Sequence, residues 1–175
     1  MISSYFKYLI IMASLFSLLS TGKAQKHISA GDSVPIFSLR DQDDSIINIK
    51  DCIGKKILVI YFYPGDETTV CTKEACAFRD SYKDFTEAGA AVIGISPNTV
   101  ESHKEFIKNH HLPFILLSDP DNKVLKQFGI KKGLLSGRET FVVDLTGQVV
   151  FTFNSYLKGK EHSEEVLKFL KDMKK

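Results

Sequence analysis

A chain of 175 residues that is 43% hydrophobic can build one substantial core but not two ordinary domains. Its 23 Lys and Arg against 21 Asp and Glu give a formal charge of +2, all of it from Lys7 and Lys23, because residues 1–24 hold no acid. No basic stripe is left to argue for a nucleic-acid partner, and three cysteines are too few for a disulfide framework.

Residues 1–24 read as a signal peptide. Lys7 supplies a positive start, residues 8–19 an apolar run, and residues 20–24 a small-residue tail with Gly22 and Ala24 at cleavage-compatible positions. The apolar run falls short of the roughly 20 residues that a helix needs to cross a bilayer. Residues 25–175 are then the mature chain, exported to a periplasmic or extracellular space without stable membrane association. A leader retained as an anchor is the alternative.

Past the leader, residues 36–39 and 45–49 alternate weakly and predict a short N-terminal hairpin. Residues 56–63 are almost continuously apolar or aromatic, the pattern of a central strand covered on both faces. Residues 72–88 predict a helix with Ala75, Phe78, Tyr82 and Phe85 on one stripe, closed by Gly89. A buried strand at 91–95 follows, then a helix over 99–109 opened by an Asn98/Thr99 cap, with Phe106 and Ile107 inward. Next come a strand at 114–117, a short helix at 121–128, and a hairpin of 140–144 with 149–153 around Gly147. A closing helix over 161–173 buries Val166, Leu167 and Leu170. This order predicts one α/β domain with a central mixed sheet flanked by helices.

Chemistry concentrates where the long strand meets the first helix. Cys71 falls at that helix N-terminus, where free backbone N–H groups and the dipole favour thiolate over thiol. Cys76 follows five positions later. On a regular helix such a pair has Cα atoms roughly 8–9 Å apart, beyond the ~7 Å that a disulfide tolerates. The two could bridge only if the first turns unwound.

Pro64-x-x-x-Thr68-x-x-Cys71 resembles the active-site signature of the peroxiredoxins, thiol peroxidases on a thioredoxin-like fold. Cys71-Thr-Lys-Glu74-Ala-Cys76-x-Phe78-Arg79-Asp80 is similar to one subgroup, the peroxiredoxin Q or bacterioferritin comigratory proteins. The resemblance runs from about residue 28 to the C-terminus, with Thr69 where a proline is usual and Val70 where a glycine is frequent. It implies a thioredoxin-like fold with an N-terminal β-hairpin extension and a cofactor-free, metal-free antioxidant enzyme. Its substrates would be hydrogen peroxide and organic hydroperoxides. Cys71 would attack the peroxide, and Cys76 would resolve the sulfenic acid through an intramolecular disulfide. A thioredoxin-like reductant would recycle a monomeric enzyme.

The resemblance also assigns Arg138, in Gly137-Arg138-Glu-Thr-Phe-Val-Val-Asp144, to pairing with the thiolate and the peroxide. Thr68 offers a hydroxyl to the peroxide, and Pro64 a rigid wall without an N–H. Arg138 is expected at a cleft face with little weight in stability. Glu74 either orients Arg138 or is a surface residue favoured by the helix dipole. His103 and His162 are expected to be exposed and His110-His111 to end a helix, none at metal-ligand spacing. Cys52 reads as a small, partly buried apolar residue.

Two other classes fit less well. A disulfide reductase needs Cys-x-x-Cys at the helix start, whereas here four residues separate the cysteines. A copper-delivery module would have no use for Thr68 or Arg138. A silent binding domain is disfavoured because each catalytic position is filled.

Overall fold

The computed structural model describes residues 26–132 and 137–173, so the expected leader lies outside the described residues. Among those residues, seven strands form one mixed sheet in the order β2-β1-β5-β4-β3-β6-β7. In chain order they are β1 (Ser38–Asp41), β2 (Ile46–Asn48), β3 (Ile57–Phe62), β4 (Ala90–Ser96), β5 (Ile115–Ser118), β6 (Glu139–Val143) and β7 (Val149–Phe153). The helices are α1 (Thr69–Asp80), α2 (Tyr82–Glu87), α3 (Val100–His110), α4 (Lys123–Gln127) and α5 (Gly159–Met173).

Strands β3, β4 and β5 run parallel, which helical crossovers permit and tight turns do not. Strand β6 pairs antiparallel with β3, and β7 antiparallel with β6. On the other side the N-terminal hairpin docks through β1, antiparallel to β5 with Arg40 opposite Ser118. This is the thioredoxin-like sheet with an N-terminal hairpin extension. The hairpin sits a little later than expected because Asp41 accepts the N–H groups of Asp43 and Ser45, each at 2.9 Å, and so sets the turn. Strand β2 stops early, where Asn48 accepts the Lys50 N–H and opens a 3₁₀ turn over Ile49–Asp51.

Period-2 geometry explains the unbroken apolar run of β3. Leu58, Ile60 and Phe62 enter one core with Phe37, Phe128 and Phe141, while Val59, Tyr61 and Tyr63 enter the other with Phe78, Phe85, Phe106 and Leu170. Gly94 of β4 stands opposite Tyr61, and a Cβ there would lie 2.7 Å from the tyrosine ring. The glycine makes room for an aromatic layer.

The single helix expected over 72–88 is two helices. Ser81 leaves the helical well at ψ 10°, and the bend lets Phe78 and Phe85 both reach zero exposure with ring centroids 5.5 Å apart. Helix α1 also begins earlier, because the carbonyl of extended Thr68 already accepts the Thr72 N–H at 2.8 Å. Among the described residues no helix is long and apolar enough to cross a membrane.

Candidate active site

The site lies at the carboxyl end of β3, where open α/β sheets gather their chemistry. The chain leaves β3 through Tyr63 and Pro64, crosses a short loop, and enters α1, of which Cys71 is the third residue. Cys71 is 1% exposed, and its turn is one whose backbone N–H groups lack helical acceptors. The guanidinium of Arg138, immediately before β6, donates from Nη2 to Cys71 Sγ at 3.0 Å. From Nη1 it pairs with Glu74, and from Nε it donates to the Tyr156 carbonyl at 2.9 Å. Three bonds from one rigid fork fix the cation against the sulfur.

Arg138 is buried at 2% exposure, not cleft-facing as expected, with Cys71, Glu74 and Tyr156 around its guanidinium. The start of α5 packs close on α1: a Cβ on Gly159 would lie 2.5 Å from the Val70 carbonyl and 3.1 Å from the Glu74 Cβ. Of the two readings of Glu74, the orienting one fits. It sits one turn beyond Cys71 on the same helix face, fully buried and paired with Arg138. Burial pushes its carboxyl up to about 8, although Arg138 pulls the other way. Among the described residues Glu74 Oε1 has no hydrogen-bond partner.

His162 Nδ1 lies 3.4 Å from that oxygen, a spacing that alone would pass for an ion pair. The hydrogen bonds argue otherwise. His162 Nε2 lies 3.0 Å from the Ser155 carbonyl, which only an N–H can satisfy, so in the neutral ring Nδ1 is the acceptor for the Thr140 hydroxyl at 2.7 Å. Burial holds His162 down at about 4, with Arg138 adding repulsion against the Ser155 bond. The single Nδ1 lone pair is thus taken by Thr140, and a neutral His162 offers Glu74 Oε1 neither a donor nor a charge. A proton on that carboxyl removes the cost of a buried anion with one oxygen unmet.

Pro64 and Thr68 flank the loop. Pro64 is half-buried, and a cavity of about 100 Å³ opens beside it between Phe62, Ile95, Pro97 and Leu125. Thr68 is exposed at the helix N-cap and donates its hydroxyl to the Gly65 carbonyl at 3.2 Å. Cys76 is half-buried on α1, and its thiol, like those of Cys71 and Cys52, is free. The helix is continuous through both Cys71 and Cys76, so the two cannot bridge in this conformation. Cys52 lies near the opposite end of β3, half-buried, its thiol pushed up by burial.

The expectation of exposed histidines fails for His103 and His162, both at zero exposure. Each lies on the stripe that buries its own helix: His162 with Val166 and Leu170, His103 with Phe106. That spacing was the available signal, but their polar partners come from distant segments. Asp66, which the sequence reading passed over, is the partner of His103 at 2.9 Å.

A buried cysteine at a helix start, held by an arginine that stands immediately before β6 of a thioredoxin-like sheet, fits the thiol peroxidase class. The AhpC/TSA family model matches residues 30–152. Peroxiredoxin Q, chloroplastic, of Sedum lineare is 47% identical over 150 residues, covering 84% of this chain and 80% of that one. The solved structure of peroxidoxin BcpB from Mycobacterium tuberculosis is 35% identical with a TM-score of 0.79, over 84% of this chain and 99% of that one. The Xanthomonas campestris bacterioferritin comigratory protein, studied for its alkyl peroxide reduction, is 31% identical with a TM-score of 0.73, over 82% of this chain and all of that one. The chain belongs to the AhpC/TSA family and, within it, to the peroxiredoxin Q subgroup.

Proposed function

We propose that Cys71 is the peroxidatic nucleophile of this peroxidase and Cys76 its resolving cysteine, with Arg138, Thr68 and Pro64 serving the first step. The 3.0 Å contact from Arg138 Nη2 to Cys71 Sγ carries this reading. The thiolate attacks the terminal peroxide oxygen and an S–O bond forms as the O–O bond breaks. The departing oxygen leaves with the electron pair and takes up a proton, so the sulfur is oxidised to sulfenic acid and the peroxide reduced to water or an alcohol. Arg138 stabilises the attacking sulfur and the growing oxyanion with one fixed charge. Thr68 lies one turn before Cys71, and its hydroxyl can exchange the Gly65 carbonyl for a peroxide oxygen at little cost. The alkyl peroxide work on the Xanthomonas relative supports organic hydroperoxides beside hydrogen peroxide in the substrate range.

Condensation of the sulfenic acid with the Cys76 thiol forms the disulfide and releases water once the start of α1 has unwound. A thioredoxin-like protein then reduces this exposed bridge. The enzyme acts as a monomer, exported on residues 1–24 as a cleaved signal peptide and free of the membrane thereafter, with residues 25–175 as the working domain. N-terminal sequencing of the secreted or periplasmic protein should begin near Gln25; an intact Met1 on cytoplasmic protein would overturn the export.

Cysteine variants assayed for peroxide consumption test the chemistry. Cys71→Ser should abolish it. Cys76→Ser should react once and stall with a thioredoxin-like donor, leaving a trappable sulfenic acid. Cys52→Ser should match the parent. Turnover by Cys71→Ser would end the proposal, and full cycling by Cys76→Ser would reduce it to a one-cysteine mechanism.

A further inference from the structure

A second buried polar cluster lies outside the machinery around Cys71 and holds the loop before it. Asp66, in that loop, is buried against α3. Its Oδ1 accepts the Tyr63 hydroxyl at 2.6 Å, and its Oδ2 accepts the Ser102 hydroxyl at 2.6 Å and His103 Nδ1–H at 2.9 Å. Its own N–H donates to Asn98 Oδ1 at 3.1 Å. Despite burial, the bonds from His103, Ser102 and Tyr63 hold its carboxyl below the ordinary range. His103 makes this contact at a cost to itself, since its Nε2 is buried with no partner among the described residues. An apolar side chain would fill that place in the core without an orphaned nitrogen.

Two further contacts extend the grip of α3. Glu67, at φ 55° in the left-handed region that side chains other than Gly, Asn and Asp rarely adopt, is held by His110 Nε2 at 2.9 Å and Asn109 Nδ2 at 3.0 Å. Arg79, at the far end of α1, donates to the His110 carbonyl at 2.7 Å. The segment between these anchors contains both Cys71 and Cys76.

We propose that Asp66 and His103 are positioning residues that latch the Pro64–Thr68 loop onto α3, holding the peroxide-reducing geometry, and that release of this latch admits the Cys71–Cys76 disulfide. The second half rests on the reading of Cys76 as resolving cysteine; the first does not. Asp66 touches no reacting atom and acts through the loop it fixes. With the latch closed, Pro64 and Thr68 stay in place beside the start of α1. When it opens, the left-handed strain at Glu67 relaxes and the first turn of α1 gains the slack that Cys71 needs to reach Cys76. Resolution then joins the two sulfurs as the S–O bond breaks: the sulfenic sulfur is reduced, Cys76 is oxidised, and water leaves.

Asp66→Asn and His103→Gln test the proposal, with Ser102→Ala as a milder loosening that leaves both buried partners in place. In a Cys76→Ser background, which isolates the first step, single-turnover reaction with hydrogen peroxide should slow about tenfold or more in the first two variants, as expected for a displaced positioning loop. With Cys76 present, disulfide formation after one turnover should instead accelerate several-fold, and less sulfinic acid should accumulate under excess peroxide. Amide exchange should quicken over residues 64–76 and stay unchanged in β3 and β4. Ser102→Ala should shift each readout the same way by less. Unchanged peroxidation and exchange would overturn the latch. So would peroxidation and disulfide formation falling together with faster exchange across the whole sheet, which is the mark of a merely structural pair. If Cys76→Ser alone cycles fully, the resolving reading fails, and the peroxidation and exchange measurements still decide the positioning role.

Discussion

Glu74→Gln probes the proton that burial places beside Arg138. The native carboxyl titrates at about 8 against an ordinary 4.5, so between these values the folded state keeps a proton that the unfolded chain has lost. Stability therefore falls as pH rises through this window. His162 works in the opposite sense. Held down at about 4 against 6.5, it leaves the folded state one proton short over that range, so its contribution to stability is lost as pH falls through the window. Below pH 6.5 the two slopes oppose one another, and from 6.5 to about 8 Glu74 alone of the pair contributes. One proton is worth about 1.4 kcal/mol per pH unit, which makes the loss across this interval roughly 2 kcal/mol.

Glutamine keeps the shape and removes the titration. Its neutral amide also carries no charge to leave unmet where Oε1 stands, an oxygen without a hydrogen-bond partner among the described residues. Urea unfolding of the reduced parent and of Glu74→Gln, from pH 6 to 8.5, gives two stability profiles in which every other group is common. The parent should lose stability relative to the variant as pH rises from 6.5, and the gap should level off above about 8. Parallel profiles would mean that Glu74 is already ionised at 6.5 and would refute the argument from burial and the His162 tautomer.

Arg138→Met should slow single-turnover peroxidation by orders of magnitude, each tenfold being about 1.4 kcal/mol, and should slow alkylation of Cys71 at fixed pH; an unchanged rate of both would remove Arg138 from the site. Its melting temperature should also fall, because removing one partner of a buried pair costs about 3–5 kcal/mol, less whatever Glu74 recovers by protonating. Arg138→Lys should recover only part of the rate, having charge without the planar fork. Gly159→Ala should destabilise by about 1–3 kcal/mol in denaturant unfolding, since its Cβ would press on the Val70 carbonyl and force α5 off α1. An unaffected midpoint would mean that the two helices part freely.

The elements were legible where periodicity and local chemistry agree. The apolar run of β3, the Thr99 cap that accepts the Ser102 N–H, and the Gly147 turn stand close to their expected places. Cys71 at a helix start and Cys76 out of bridging reach on the same helix follow from spacing along one element, which a sequence records directly. The break at Ser81 was not legible. Phe78 and Phe85 share one stripe whether or not the helix breaks between them, so the periodicity carries no sign of the turn at Ser81.

The amino-acid order by itself determined the cysteine at a helix start, its helix and the α/β alternation, because each depends on residues within a few turns of one another. Beyond the Arg138 pairing that the resemblance implied, only the tertiary structure decided what surrounds that cysteine. Arg138 meets Cys71 across 67 positions, His162 approaches Glu74 across a helix interface, and Asp66 finds His103 37 positions away. Each of these groups carries a charge or lone pair that reads as surface-bound when its partner is unknown. Burial and pairing are properties of the packed core, and there a neighbour 3 Å away overrides the preference of any single side chain for water.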